Sequence, residues 1–315
     1  MISLRSSSFH KISCDNKPNI VTKFIWFFIN YIMNNLLPMF SIDKSLELGF
    51  FYNKHINKIL PEIKNNGSPS RIMSDLFWQG LPNEEIITEL KELNVLDLGC
   101  GKGVYYPILK KIFGEKLKSY TGLDKIIDKP LLTENLSNKK FVQDDIINVH
   151  KYLNNKNLII SQSFIEHIDY DIDLFRDLSE VEKKNHPVLQ IHLFPSKECL
   201  FSYLFHGIRQ YSIKSTSFLT KNFDSKVTKK TLIGLGSKNI NNLHIDKLTK
   251  AKLFNKTDIR KINLNEYHRL LKQAYEKDLL LSDKKKINCS AFYALIMCSN
   301  FKNAELNFNI NKINF

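Results

Sequence analysis

The sequence predicts an α/β fold built on a mostly parallel sheet with helices on both faces. Between Asn94 and Phe194, short apolar runs alternate with polar or helical stretches, the pattern of parallel strands joined by crossover helices. The first of these runs, VLDLGCGKG at 95–103, ends in three glycines at alternating positions and passes directly into YYPILKKIF, a helix start. The chain of 315 residues is long enough to bury a full core in one catalytic domain with appendages.

Taken in order, residues 1 to about 20 are polar and serine-rich and read as poorly ordered. Residues 21 to 90 read as a helical extension, broken by NNGSPS at 65–70. Within it, FIWFFINYIMNNLLPMFSI at 24–42 carries no formal charge. Lys23, Asn30 and Asn34 fall on one helical face and Ile25, Ile29, Ile32 and Leu36 on the other, so an amphipathic helix is expected with its apolar face on the domain. Peripheral membrane contact and a true span stay open as alternatives. The mid-stretch asparagines and Pro38 weigh against the span, and the late start of the apolar run weighs against a cleavable leader.

LPNEEIITELKEL at 81–93 is a helix that leads into the glycine motif. The expected strands are then Asn94 to Leu98, Tyr120 to Leu123, Lys140 to Val142, Leu158 to Gln162 and Val188 to Phe194. After Ser196 the alternation fades until AFYALIMC at 291–298, a terminal strand; NAELNFNINKINF is an edge strand or a loose tail. An insertion after the fifth strand would lie over the carboxyl edge of the sheet, where open α/β folds bind ligands, and reads as a substrate lid. The expected division is 1–90 as N-terminal helical extension, 91–200 as cofactor-binding core, and 201–315 as lid insertion and final strands.

The net charge of +14 would ordinarily point to polyanions. Here it accompanies a general excess of Lys, Asn and Ile, and the lysine runs (183–184, 229–230, 284–286) are short and dispersed, so a solvated surface is expected. Five cysteines without a CxxC pair argue against a disulfide framework and a structural zinc site. No metal site is expected, and the compartment reads as reducing and cytoplasmic, with membrane association open.

A dinucleotide fingerprint G-x-G-x-x-G starting at Gly99 would need glycine at 104, which is Val104. The spacing present is D-x-G-x-G-x-G, from Asp97 through Gly99 and Gly101 to Gly103. YTGLD ends the second strand on Asp124, placed to accept hydrogen bonds from both hydroxyls of a ribose. FVQDDI ends the third on Asp144 and Asp145, and LIISQSFIEHI ends the fourth before Glu166-His167. In this order the segment from about 85 to 200 resembles the S-adenosylmethionine-dependent methyltransferases of the Rossmann-like class. The resemblance implies a mostly parallel seven-stranded sheet, S-adenosyl-L-methionine as cofactor, and cofactor contacts from Asp97, Gly99, Gly101, Gly103, Asp124, Asp144, Asp145, Ile146, Gln162 and Ser163. Asp145 matches the position that bonds the adenine amino group. Taken singly, Asp124 could be a turn carboxylate and the aspartate pair a helix cap.

QIHLFPSKECLFSYLFHGIRQYS at 190–212, with LLP at 36–38, is similar to a bacterial subgroup associated with surface polysaccharide assembly. That implies a glycan or glycolipid-type acceptor; the function expected for the whole chain is methyl transfer to a small-molecule or glycan-like acceptor at oxygen. His167 and His192 are candidate bases, having side chains that titrate near neutrality. Each could instead be structural: His167 a helix-start histidine bonded to backbone, His192 one satisfied in the core. Glu166, His206, Arg209 and Tyr211 are candidate acceptor contacts; Arg209 could pair with a carboxylate or phosphate, or cap a helix end. GLGSK at 234–238 lacks phosphate-loop spacing. An RNA methyltransferase is disfavoured, since the fourth strand ends in SQSFIEH and lacks the [DNS]-P-P-[YFW] loop of many base-amino methylating enzymes. A non-catalytic protein keeping the fold is the remaining reading.

Overall fold

The computed structural model describes residues 5–36, 40–52, 67–133, 138–302, 306, 308 and 310–313. Pro38, part of the LLP match, lies outside them. The elements that place the site are α1 (Ile20–Asn35), β1 (Leu46–Phe51), α2 (Pro69–Gln79), α3 (Asn83–Leu90), β2 (Leu93–Leu98), α4 (Tyr105–Phe113), β3 (Leu117–Asp124), β4 (Lys139–Gln143), β5 (Leu158–Gln162), α5 (Asp171–Ser179), β6 (Val188–Pro195), α6 (Ile213–Leu219), β7 (Thr228–Leu235), α7 (Lys238–His244), α8 (Leu264–Leu279), β8 (Phe292–Ser299) and β9 (Ile310–Ile313).

One sheet runs β4-β3-β2-β5-β6-β8-β7-β1-β9. Strands β2 to β6 are mutually parallel; β8 is antiparallel to both neighbours, β1 is parallel to β7, and β9 is antiparallel to β1. This is the open, doubly wound Rossmann-like architecture, with its switch point between β2 and β5. The sheet has nine strands rather than seven. β1, LELGFF, comes from the stretch expected to be wholly helical. β7, TKKTLIGL, comes from the stretch where alternation fades, and GLGSK is its end and the turn into α7.

Residue parity on the strands divides the core into two layers. Val95, Ile160, Ile191 and Leu193 face α2, α4, α7 and α8, whereas Leu96, Leu98, Ile159 and Phe194 face α5 and its neighbours. Local chemistry sets the helix ends. Ser68 caps α2 by accepting from Arg71 N–H, with Pro69 at the first helical position, and Asp171 and Asp173 lie in the first turn of α5, where the helix dipole favours anions.

Two N-terminal expectations are reversed. Residues 5–14 are pinned rather than loose: Ser7 donates its N–H to Asp171 at 2.8 Å, Arg5 pairs with Asp173 at 2.5 Å, and Cys14 N–H reaches Gly207 O at 3.0 Å. In α1 it is the polar face that packs. Trp26 and Asn30 are buried, Trp26 Nε1 donating to Gly207 O at 3.0 Å and Asn30 Nδ2 to Ile208 O at 3.1 Å. Ile25, Ile32 and Leu36 stand in solvent with Phe24 and Phe28. The helix turns this way because its indole and amide find buried hydrogen-bond partners that the aliphatic side does not need. Among the described residues, no helix is long and apolar enough to cross a membrane.

Candidate functional site

The glycine turn closes β2 at the switch point. Gly99, Gly101 and Gly103 all have positive φ (69°, 51° and 68°), the region that disfavours side chains. Gly101 N–H donates to Asp124 Oδ2 at 2.8 Å, and Ile126 N–H to Asp124 Oδ1 at 3.2 Å, so the acidic end of β3 is fixed against the turn.

A cavity of about 300 Å³ opens there, lined among others by Asp124, Asp144, Asp145, Ile146, Phe164 and His167. Asp145 accepts from Ile147 N–H at 3.1 Å and from the Tyr170 hydroxyl, with Lys125 at 3.8 Å; the Tyr170 bond is the largest of the influences that hold its carboxyl below the usual range. Asp144 is tied to Tyr152 O–H at 2.6 Å, Asn148 at 2.8 Å and Asp145 N–H at 2.7 Å. Each of these aspartates is therefore both a local cap and a wall of the cavity. Asp97 differs: it is buried and accepts Tyr120 O–H at 2.5 Å, so it braces the turn from below instead of lining the cavity. Burial raises its carboxyl to about 7, against the lowering effect of the Tyr120 bond.

A second cavity of about 370 Å³ is lined by Gln162, Ser163, Glu166, Tyr203 and His206 with Arg71 and Arg260. Ser163, at the end of β5, holds φ at 49°, a conformation uncommon for a residue with a side chain. Its N–H donates to Leu193 O at 2.8 Å, and Gln162 Oε1 accepts from Trp78 Nε1 at 3.3 Å. This cavity shares Ser68, Tyr203, His206 and Arg260 with an open groove of about 1,120 Å³, whose walls carry Lys17, Lys23, Lys252, Lys256 and Lys261. Lysines dispersed in the sequence converge here, which the even spread of charge along the chain concealed.

Glu166 lines the second cavity and His167, the next residue, lines the first, so this pair of residues links the two walls. His167 Nδ1 lies 2.8 Å from Asp15 Oδ2, and its Nε2 lies 3.7 Å from Glu166 Oε1. Burial alone would lower the His167 pKa, but the Asp15 bond and the fields of Glu166 and Asp15 outweigh it and raise it. Asp15 is held well below the usual carboxylate range: burial opposes this, and the His167 bond is the largest influence that overrides it. Glu166 is wholly buried, no donor reaches either carboxylate oxygen with hydrogen-bond geometry, and burial raises its pKa to about 7. Burial, and then the field of His167, lower His206 to about 4.

Three of the sequence candidates belong elsewhere. His192 shares parity with Phe194 and points into the opposite layer, against Phe175. Its Nδ1 is 2.9 Å from Ser161 Oγ and its Nε2 3.3 Å from Gln190 Oε1, and burial lowers its pKa to about 3. Arg209 pairs at 2.9 Å with Asp171, both side chains being buried, and also donates to Ser6 Oγ and Asp169 O. Tyr211 O–H is 3.0 Å from Ile165 O and 2.9 Å from Asp171. HGIRQY is thus a clasp on the β5 loop: Ile208 N–H donates to Glu166 O at 2.8 Å, and a Cβ on Gly207 (φ 65°) would come within 2.9 Å of that same oxygen. Sequence reasoning missed Asp15, Phe164, Tyr203 and Arg260. Asp15 lies 152 positions from its partner His167 and had no spacing signal to offer.

No family model matches the chain, and no curated protein matches it. Among solved structures it is similar to a methyltransferase dependent on S-adenosylmethionine from Archaeoglobus fulgidus, with 19% identity over 77% of this chain and 99% of that one and a TM-score of 0.43. It is similar to a plantazolicin methyltransferase in complex with a pentazolic substrate analogue and S-adenosylhomocysteine (14% identity, 79% and 92% covered, TM-score 0.39). A geranyl diphosphate C-methyltransferase from Streptomyces coelicolor A3(2) is a further match (13% identity, 69% and 77% covered, TM-score 0.38).

Proposed function

We propose that this chain is an S-adenosylmethionine-dependent methyltransferase that methylates a small-molecule or glycan-like acceptor at oxygen. The observation that carries the reading is that the glycine turn is bonded to Asp124 at the switch point, and that Asp124 and Asp145 wall one cavity while Gln162, Ser163 and Glu166, from the end of the neighbouring strand, wall another. The residues present fit the cofactor. Asp124 keeps lone pairs beyond those given to Gly101 and Ile126 for two ribose hydroxyls, and Asp145 offers an acceptor for an adenine amino group. Ile146 contributes its backbone beside Asp145, while Gln162 and Ser163 meet the methionine end.

Bound S-adenosylmethionine supplies an electrophilic methyl group on a sulfonium. The chain's part is to hold an acceptor oxygen in line with it, and closing two groups into near-attack geometry can account for much of the rate. The acceptor hydroxyl sits in the second cavity against Gln162, Tyr203 and His206. With the cofactor held, the acceptor oxygen would take the methyl carbon from the sulfonium sulfur, which would keep the bonding pair, and the hydroxyl proton would leave to solvent water past the Glu166–His167–His206 wall. The lysine-bearing groove beyond favours an acceptor with an extended anionic portion, such as a phosphate- or carboxylate-bearing glycan. The exposed apolar face of α1 supports peripheral contact of residues 24–36 with a bilayer that presents such an acceptor.

Calorimetric titration with S-adenosylhomocysteine tests the core of this reading. Micromolar binding is expected, with at least a tenfold loss in Asp124→Ala; folded protein that binds none overturns it. Transfer of labelled methyl to a panel of glycolipids, sugar nucleotides and RNA then tests the acceptor, and turnover on RNA with a steep salt dependence would replace the glycan reading.

A further inference from the structure

We propose that Glu166, His167 and His206 bind a divalent first-row transition-metal ion where Glu166 and His167 link the two cavity walls, with Asp15 orienting His167 from behind. The starting point is Glu166, a fully buried carboxylate with neither oxygen satisfied. Burying such a group without compensation is costly, so its surroundings should contain what completes it. Two imidazoles face it, with Nε2 of His167 at 3.7 Å and Nε2 of His206 at 3.9 Å from the same Oε1. Those separations are too long for hydrogen bonds. They lie within a few tenths of an ångström of the ~3.0–3.6 Å between ligand atoms that share an ion at ~2.1 Å each.

The residues behind the cluster are arranged for the same purpose. Asp15 Oδ2 takes His167 Nδ1–H at 2.8 Å, which leaves the lone pair on Nε2 directed at Glu166, the carboxylate–histidine–metal arrangement. Asp15 is itself fixed by Gly207 N–H at 3.1 Å and Ser13 O–H at 2.8 Å. Among the described residues, the set whose ligand atoms all lie within 4.8 Å of one another is Asp15, His167 and His206; Glu166 Oε1 joins it through its 3.7 and 3.9 Å approaches to the two imidazoles. Gly207 is the residue after His206, and its missing Cβ lets the segment lie on Glu166 O, so the position of His206 follows from the clasp described above.

Two imidazole nitrogens and one carboxylate oxygen suit Mn²⁺, Fe²⁺, Co²⁺ or Zn²⁺ better than Mg²⁺ or Ca²⁺. Three protein ligands leave positions open, and two of the three, Glu166 and His206, line the same cavity as Gln162, Tyr203 and Arg260. There the ion would hold an acceptor hydroxyl and lower its pKa, so that the proton passes to solvent water before transfer. This role rests on the methyltransferase reading; the ion site itself does not.

The test uses tag-free, chelator-stripped full-length protein titrated with Co²⁺ alone, read by ligand-field absorption and calorimetry. One Co²⁺ per chain is expected. Glu166→Gln and His206→Asn should each weaken it at least tenfold, Asp15→Asn by about 10- to 100-fold, and all three should still bind S-adenosylhomocysteine. His206 is partly exposed, so its replacement keeps the test valid if Glu166→Gln does not fold. Folded protein that takes up no stoichiometric Co²⁺, or affinity unchanged in His206→Asn, overturns the site and leaves Glu166 as a protonated acid in a dry wall. Co²⁺ uptake without S-adenosylhomocysteine binding would overturn the methyltransferase reading and keep the metal.

Discussion

The Phe164 ring rests on the bare backbone of Gly99, so closely that a Cβ built on Gly99 would lie 2.0 Å from Phe164 Cδ2. Gly101 has the same left-handed backbone but open space, with nothing within 4 Å of such a Cβ. The two glycines are therefore required for different reasons. Gly101→Ala should cost only the backbone term, about 1–2 kcal/mol by urea denaturation. Gly99→Ala should cost clearly more and lose cofactor affinity, and adding Phe164→Ala should recover the collision but not the backbone term. Equal losses at the two glycines would show that Phe164 does not press on the turn.

Arg209 and Asp171 form a buried ion pair that holds three segments together, since Asp171 also takes Ser7 and Tyr211. Removing one charge strands the other in a dry site, an effect of about 3–5 kcal/mol. Arg209→Met should therefore lower stability by that order, with the KM for acceptor unchanged in the protein that remains folded. Asp171→Leu in the same chain should restore part of the loss. A raised KM with normal stability would return Arg209 to the acceptor.

The contrast between Arg209 and Asp124 shows where the sequence was legible. Strands buried on both faces read as continuous apolar runs, so β2, β5 and β6 fall within a residue of expectation, and β3 ends on Asp124 as its apolar run predicts. β7 escaped notice because Lys229 and Lys230 read as a solvated run, yet Lys230 is buried against Asp43 at 2.6 Å. Whether a polar side chain faces a ligand or another part of the chain depends on partners remote in sequence. Arg209, Tyr211 and His192 found theirs inside the fold, and the Asp15 contact to His167 had no local signature.

Asp97 should make stability fall with pH across a defined window. Its folded-state pKa is raised to about 7 from 3.8. Between those values the folded chain keeps a proton that the unfolded chain has released. The contribution is thus complete below pH ~4 and is lost as pH rises through ~7, at no more than about 1.4 kcal/mol per pH unit. His192, lowered from 6.5 to about 3, gives the opposite slope over its own range, but equally in parent and variant. The stability difference between parent and Asp97→Asn, measured by denaturation from pH 4 to 8, should therefore isolate the Asp97 slope. A difference that stays constant would mean that Asp97 remains ionised beneath the turn.

The outward face of α1 leads to a prediction about where the protein works. Phe24 and Phe28 are 54% and 58% exposed and continue into Ile25, Ile32 and Leu36, while the same helix spends its amide and indole on the core. At 16 residues it is about 24 Å long, suited to lying in a headgroup layer. The chain's +14 charge favours an anionic bilayer over a neutral one. Co-sedimentation with vesicles of phosphatidylcholine and phosphatidylserine should be strong and reduced by salt. Burying one Phe side chain is worth roughly 1.5–3 kcal/mol, so Phe24→Ser with Phe28→Ser should weaken binding by well over tenfold. Both side chains lie in solvent, and the unfolding midpoint should hold. Vesicle binding that the double variant does not change would move the contact elsewhere, and a dimer that this variant dissociates would show that a second copy of the chain covers the face.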